Sequence, residues 1–138
     1  MGFALFLIAA QAELTQPPFD MPVAESELVA GYMVEYTGFR FLFFFIGEFG
    51  TAFAFAALAA TLFLGGWTLP FVSDIGVMRL LGPFVLFAKV MLVAFLMFWV
   101  RFTYPRLRED QLQALAWKVL IPIGLANILL TGILKVAA

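Results

Sequence analysis

Three runs of predominantly apolar residues, 39–66, 80–100 and 114–137, leave this chain few folds to choose from. A helix needs about 20 such residues to cross the hydrocarbon core of a bilayer. The first run is interrupted by Arg40 at its mouth and Glu48 inside, and the second by Lys89 alone. The third carries Lys118 near one end, with Pro122 and Asn127 inside. In lipid every backbone polar group must be satisfied within the protein, and three segments cannot close a sheet into a barrel, so all three are predicted to be helices. The composition agrees: 64% of residues are hydrophobic, and a mean hydropathy of +1.05 does not suit a water-facing surface. The expected fold is all-α, a polytopic membrane protein forming a single membrane domain over 1–138.

The opening stretch MGFALFLIAAQA is apolar but too short to span, and it lacks the basic flank of a cleavable signal. It is read as the end (1–12) of a fourth helix beginning upstream; an interfacial or signal-anchor helix is the alternative. Residues 13–38 then form an acidic loop. Orientation follows from Lys and Arg in short loops. Arg101, Arg106, Arg108 and Lys118 cluster around 101–113, whereas the loop 67–79 offers only Arg79. The basic loop is therefore expected on the cytoplasmic side, and the acidic loop, two spans earlier, must share it. Across the membrane, Gly65 and Gly66 are expected to end the first span, with Trp67 at the headgroups and Pro70 blocking continuation.

Several functions are excluded at once. The chain has no Cys and no His, which removes disulfides, thiolate chemistry, haem ligation through His and Ser-His catalysis; no metal site is expected. A net charge of −1 provides no basic patch for nucleic acid.

The charges that lipid should exclude carry the remaining information. Glu48 lies eight residues past Arg40, roughly 12 Å along a helix. A carboxylate at that depth must face protein or water, and such a medium favours its protonated form, which makes it a candidate proton carrier. The alternative is a neutral Glu that fixes helix packing, aided by close approach at Gly47, Gly50, Ala52, Ala56 and Ala59. Lys89 lies twelve residues before Arg101, roughly 18 Å inward. Its expected partner is a carboxylate, either Glu48 or one from another subunit; a buried structural pair without transport is the alternative. The run FRFLFFFIGEFG reads as a lipid-facing helix, although aromatic faces also suit a tunnel for an isoprenoid tail. RFTYPRLREDQLQALAWK, with its three Arg, Glu109, Asp110 and Lys118, reads as a solvated interfacial loop.

The segment 13–38 holds Glu13, Asp20, Glu25, Glu27 and Glu35, five of the nine acidic residues. Pro17, Pro18 and Pro22 deny 15–22 a regular helix. After Pro22, VAESELVAGYMVEY is predicted to be helical, with Glu27 and Glu35 two turns apart on one face. Carboxylates so spaced suit a coupled proton path; they equally suit an acidic surface awaiting an Arg-rich partner.

Two long motifs carry a resemblance. AELTQPPFDMPVAESELVAGYMVEYTGFRFLFFFIGEF and KVMLVAFLMFWVRFTYPRLREDQLQALAWKVLIPIGLANILL, in that order, are similar to the H-subunit family of the proton-pumping NADH-quinone oxidoreductase, respiratory complex I. The resemblance spans essentially the whole chain but only the last part of the family's eight-span protein, which implies a truncated product, half of a split gene or an incompletely assembled sequence. It implies a translocase subunit with no redox centre of its own, in a bacterial inner membrane. Its substrate would be quinone, shared with other subunits, with no cofactor bound covalently.

By position, Glu13, Glu25, Glu27, Glu35 and Glu48 match the family's proton path. Gln16, Phe19, Asp20 and Arg40 fall at the quinone cavity or coupling loop, and Lys89 is an intramembrane charge at a family position. Arg101, Arg106, Arg108, Asp110 and Lys118 match the face that meets the peripheral arm. The implied partners are peripheral-arm quinone-site subunits, small membrane subunits, the N-terminal part of the same subunit and lipid. Gln16 stands where many members have Arg, Val23 where a Glu is frequent, and Glu109 where Tyr is usual. These departures keep two alternatives open: a related energy-converting hydrogenase or other electron-input complex, and a non-catalytic membrane scaffold.

Overall fold

The computed structural model describes residues 1–20, 33–68 and 75–137. Among them all regular structure is helical: α1 (Gly2–Glu13), α2 (Phe39–Phe63), α3 (Ile75–Thr103), α4 (Glu109–Leu115) and α5 (Ile121–Ala137), with a π-helical turn, Ala116–Leu120, joining the last two. Three helical stretches are long and apolar enough to cross a membrane: Phe39–Phe63, Leu80–Thr103 and the composite Glu109–Val136. The protein is a multi-pass membrane protein.

Helix ends depart from the sequence prediction for local reasons. The first span stops three residues early, where the Ala60 carbonyl accepts both the Leu64 and Gly66 amides (3.2 and 3.0 Å). Gly65 and Gly66 have φ of 70° and 57°, left-handed values that a side chain would resist. The third helical stretch begins at Glu109, inside what reads as a loop. There the Arg108 amide donates to the Gln111 side chain at 3.2 Å, and Glu109 and Asp110 occupy the first turn, at the positive end of the helix dipole. Pro122 accounts for the π turn. It has no N–H to offer the carbonyl four residues back, and its ring presses on that carbonyl, so the helix widens just before it.

The helices pack antiparallel through small residues. Ala52, Ala56, Ala59 and Ala60 on α2 are fully buried, and the first three cluster with Val93, Ala94 and Met97 of α3, Ala10 of α1 and Leu14 just after it. This spacing brings backbones close where no hydrophobic drive operates between helices in lipid. Gly47 and Gly50, expected to share that role, do not: a methyl group added at either meets nothing within 4 Å. The close approach belongs to the alanines. At the far end, Phe3 and Phe6 of α1 pack at steep angles against Phe63 of α2, with ring centres 5.8 and 5.5 Å away.

The surface is apolar outward. Phe39, Phe43, Phe84 and Phe87 on α2 and α3, and Ile128, Leu129, Ile133 and Leu134 on α5, are exposed, as helices bathed in lipid or facing other chains must be. Hydroxyls on these faces return to their own helix: Thr61 donates to the carbonyls of Ala57 and Leu58, Thr103 to Trp99, and Thr131 to Asn127 and Ile128.

Antiparallel packing places the end of α1, the start of α2 and the end of α3 together. A backbone bond joins the two connecting segments there, the Leu107 amide donating to the Pro18 carbonyl at 2.9 Å. The described parts of the acidic segment, 13–20 and 33–38, therefore lie at the same end of the bundle as the basic one.

Candidate functional site

Glu48 lies in the interior of α2, and the fold gives it two partners. Arg101, in the last turn of α3, donates from Nη1 to Glu48 Oε1 at 2.9 Å, and Gln16 Nε2 donates to the same oxygen at 3.0 Å. The ion pair is largely withdrawn from the surface, with side chains 18% and 22% exposed for Arg101 and Glu48. Phe49 and Phe102 flank the guanidinium, its carbon 5.7 and 6.0 Å from their ring centres. Gln16 is the most deeply set of the three at 1% exposure, and its Oε1 has no hydrogen-bond partner among the described residues.

Gln16 reaches α2 because the chain turns sharply after α1. Thr15 has φ of 49°, Phe19 N–H donates to Gln16 O at 2.8 Å, and Phe19 and Asp20 are buried. Gln11, 3% exposed, pins this turn: its Nε2 donates to the carbonyls of Pro17 and Met97, both at 3.3 Å, tying α1, the turn and α3 together. Nothing in the sequence singled out Gln11; its only signal is a polar residue near the end of an otherwise apolar helix.

A cavity of about 720 Å³ opens beside these groups. Glu13, Asp20, Glu48 and Arg101 form its polar wall, and Phe41, Phe45, Phe55 and Phe102 much of its apolar one. Such a space suits a ligand with an apolar body and a polar end.

The other candidates fall differently. Lys89 does not pair with Glu48 or any carboxylate among the described residues; its ammonium donates to the carbonyls of Leu64, Gly66 and Thr68 at 2.7, 2.9 and 2.7 Å. The last carbonyls of α2 have no partner within their own helix, and those of the following turn lie alongside, so a cation at this negative dipole end is satisfied without an acid. Arg101, grouped by sequence with the loop that faces a partner, instead belongs to α3 and turns inward. Glu35 stands in an exposed turn closed by a Tyr36-to-Met33 backbone bond of 3.0 Å, so the predicted helix does not extend to it. Arg40, Arg108, Asp110 and Lys118 are exposed, and Arg108 and Asp110 approach only to 3.9 Å. Arg106 is half-buried beside Leu107. Glu25, Glu27 and Val23 lie outside the described residues.

Three spans, an ion pair held between two of them and a mixed polar and aromatic cavity define a multi-pass helical membrane protein with a charged centre inside its bundle. The chain belongs to the NADH dehydrogenase family, whose profile matches residues 1–132. It is similar to proteins named as the H subunit of NADH-quinone oxidoreductase: 52% identical to that of Anoxybacillus flavithermus over 136 residues, 98% of this chain and 39% of the relative. Identity is 53% over 133 residues to that of Brevibacillus brevis, covering 96% and 39%. It is likewise 53% over 133 residues to the H subunit numbered 2 of Syntrophobacter fumaroxidans, covering 96% and 38%. The chain thus spans about two fifths of the length of these relatives.

Proposed function

We propose that this chain is part of the membrane subunit of a proton-translocating NADH-quinone oxidoreductase. It would contribute a wall of the quinone cavity and a carboxylate step in the path that couples quinone reduction to proton transfer. The observation that carries this reading is Glu48: a carboxylate in a spanning helix, held by Arg101 and Gln16, on the wall of a cavity that it shares with Glu13 and Asp20. Family membership supplies the context, and the names of the relatives supply quinone as substrate. The apolar side of the cavity suits an isoprenoid tail, and its polar side suits a headgroup. Glu13, Asp20 and Glu48 present acceptors along one wall, and Arg101 balances the innermost charge. Glu35, exposed near the entrance of α2, suits proton exchange with the outside of the bundle, and Glu25 and Glu27 extend the series in sequence. Arg106, Arg108, Asp110 and Lys118 lie on or near the face suited to the peripheral arm. Small membrane subunits, the rest of the same subunit and lipid cover the exposed apolar faces. The relatives are bacterial, which suits an inner-membrane location with the acidic and basic segments cytoplasmic.

The test is Glu48→Gln and Glu35→Gln in the assembled complex, with quinone reduction and proton pumping measured together. Lowered proton-coupled turnover is expected in both, and wild-type pumping and turnover in both would remove the carboxylates from the path.

A further inference from the structure

Glu48 Oε1 receives both donors, the Arg101 guanidinium and the Gln16 amide, and no hydrogen bond reaches Oε2 among the described residues. Beside it, the Gln16 carbonyl oxygen is buried and without a donor among those residues. A buried acceptor left unpaired is costly, and it is the kind of orphan that calls for an explanation. A primary amide presents one N–H and one C=O side by side, the complement of a carboxylic acid, which presents one C=O and one O–H. With Glu48 ionised, only one half of that match can form: N–H to Oε1. The other half would set Gln16 Oε1 against Glu48 Oε2, two acceptors that cannot bond.

We infer that Gln16 is a positioning residue that recognises the protonated form of Glu48. A proton added at Oε2 lets that O–H donate to Gln16 Oε1 while Gln16 Nε2 keeps its bond to Glu48 Oε1, closing a two-pronged acid–amide ring. The proton comes from water in the adjoining cavity and returns there; no other bond is made or broken. An Arg at position 16 has donors only and serves the ionised form alone. Gln16 therefore lets Glu48 alternate between two protonation states, each with a hydrogen-bonded partner. The other charged groups facing this site are Arg101 from α3, Glu13 at the end of α1 and Asp20 after the turn. None of them supplies the missing donor to Gln16.

This inference rests on Glu48 exchanging a proton, and one experiment separates the two. Redox-induced infrared difference spectra of the assembled complex would be recorded for the wild type, Glu48→Gln and Gln16→Leu, with Gln16→Met as a second variant should leucine block assembly. A carboxylic C=O band absent in Glu48→Gln identifies the Glu48 proton. In the Gln16 variants that band should persist and move to higher wavenumber, because the acid has lost its amide ring. If it stays in place, Gln16 does not read the protonated acid, although Glu48 still carries a proton. If Glu48→Gln removes no band, the proton role of Glu48 fails and this inference fails with it.

Discussion

Replacing Lys89 by methionine tests the carbonyl cage at the end of α2. All three ammonium donors are used, on Leu64, Gly66 and Thr68 at 2.7–2.9 Å. A hydrogen bond to a charged group contributes about 1.5–3 kcal/mol, so the three together stabilise the turn by several kcal/mol. Against this, methionine removes the cost of keeping a cation within the span, about 2.5–3.5 kcal/mol on insertion scales. The net loss is on the order of 2–5 kcal/mol, concentrated in the last turn of α2 and the residues after it. Amide hydrogen exchange followed by mass spectrometry on the assembled complex reads this directly. Local opening of that size raises exchange around Leu64–Thr68 by about thirtyfold or more. Lys89→Arg should fall between, since a flat guanidinium cannot aim three donors at three converging carbonyls as an ammonium does. Unchanged exchange at this turn in Lys89→Met would refute the reasoning. So would an equal rise here in Glu48→Gln, which would mean that Lys89 answers to the acid after all.

Two further outcomes follow from the packing and the ion pair. Arg101→Met leaves Glu48 without its cation and should lower the thermal stability of the complex by about 3–5 kcal/mol, while adding Glu48→Gln to it should recover much of the loss, a coupling that a double-mutant cycle reads out. Ala56→Leu forces a larger side chain into the fully buried seam between α2 and α3 and should cost about 1–3 kcal/mol, whereas Gly47→Ala, facing open space, should be neutral or slightly stabilising in the same melting assay.

The spans were legible in the sequence because lipid tolerates few alternatives: length and apolarity alone decide that Phe39–Phe63 and Leu80–Thr103 are helices. The left-handed glycines after α2 were legible for the same kind of reason, local and steric. Partners were harder to read. Glu48 and Arg101 are 53 residues apart, and spacing along the chain says nothing about which cation turns inward. Lys89 misled because an intramembrane ammonium suggests a carboxylate, while its actual partners are backbone carbonyls, which every residue carries and no sequence advertises. The loop reading of 109–113 overlooked the Arg108–Gln111 cap, since polar composition outweighed a capping signal without Ser, Thr, Asp or Asn at its first position. Gln16 stood out only as a departure from the family pattern; its place between α1 and Glu48 needed the turn at Thr15.

The bond from the Leu107 amide to the Pro18 carbonyl acts as a mechanical linkage. Pro18 is two residues from Gln16, and Leu107 is six from Arg101, so the same tie connects the stems of both groups that grip Glu48. Whatever displaces the segment after α3, including a protein docking on its exposed arginine, must carry the Gln16 turn along or break that tie. A displacement at the rim of the bundle would thereby have a path only a few residues long to the carboxylate inside it.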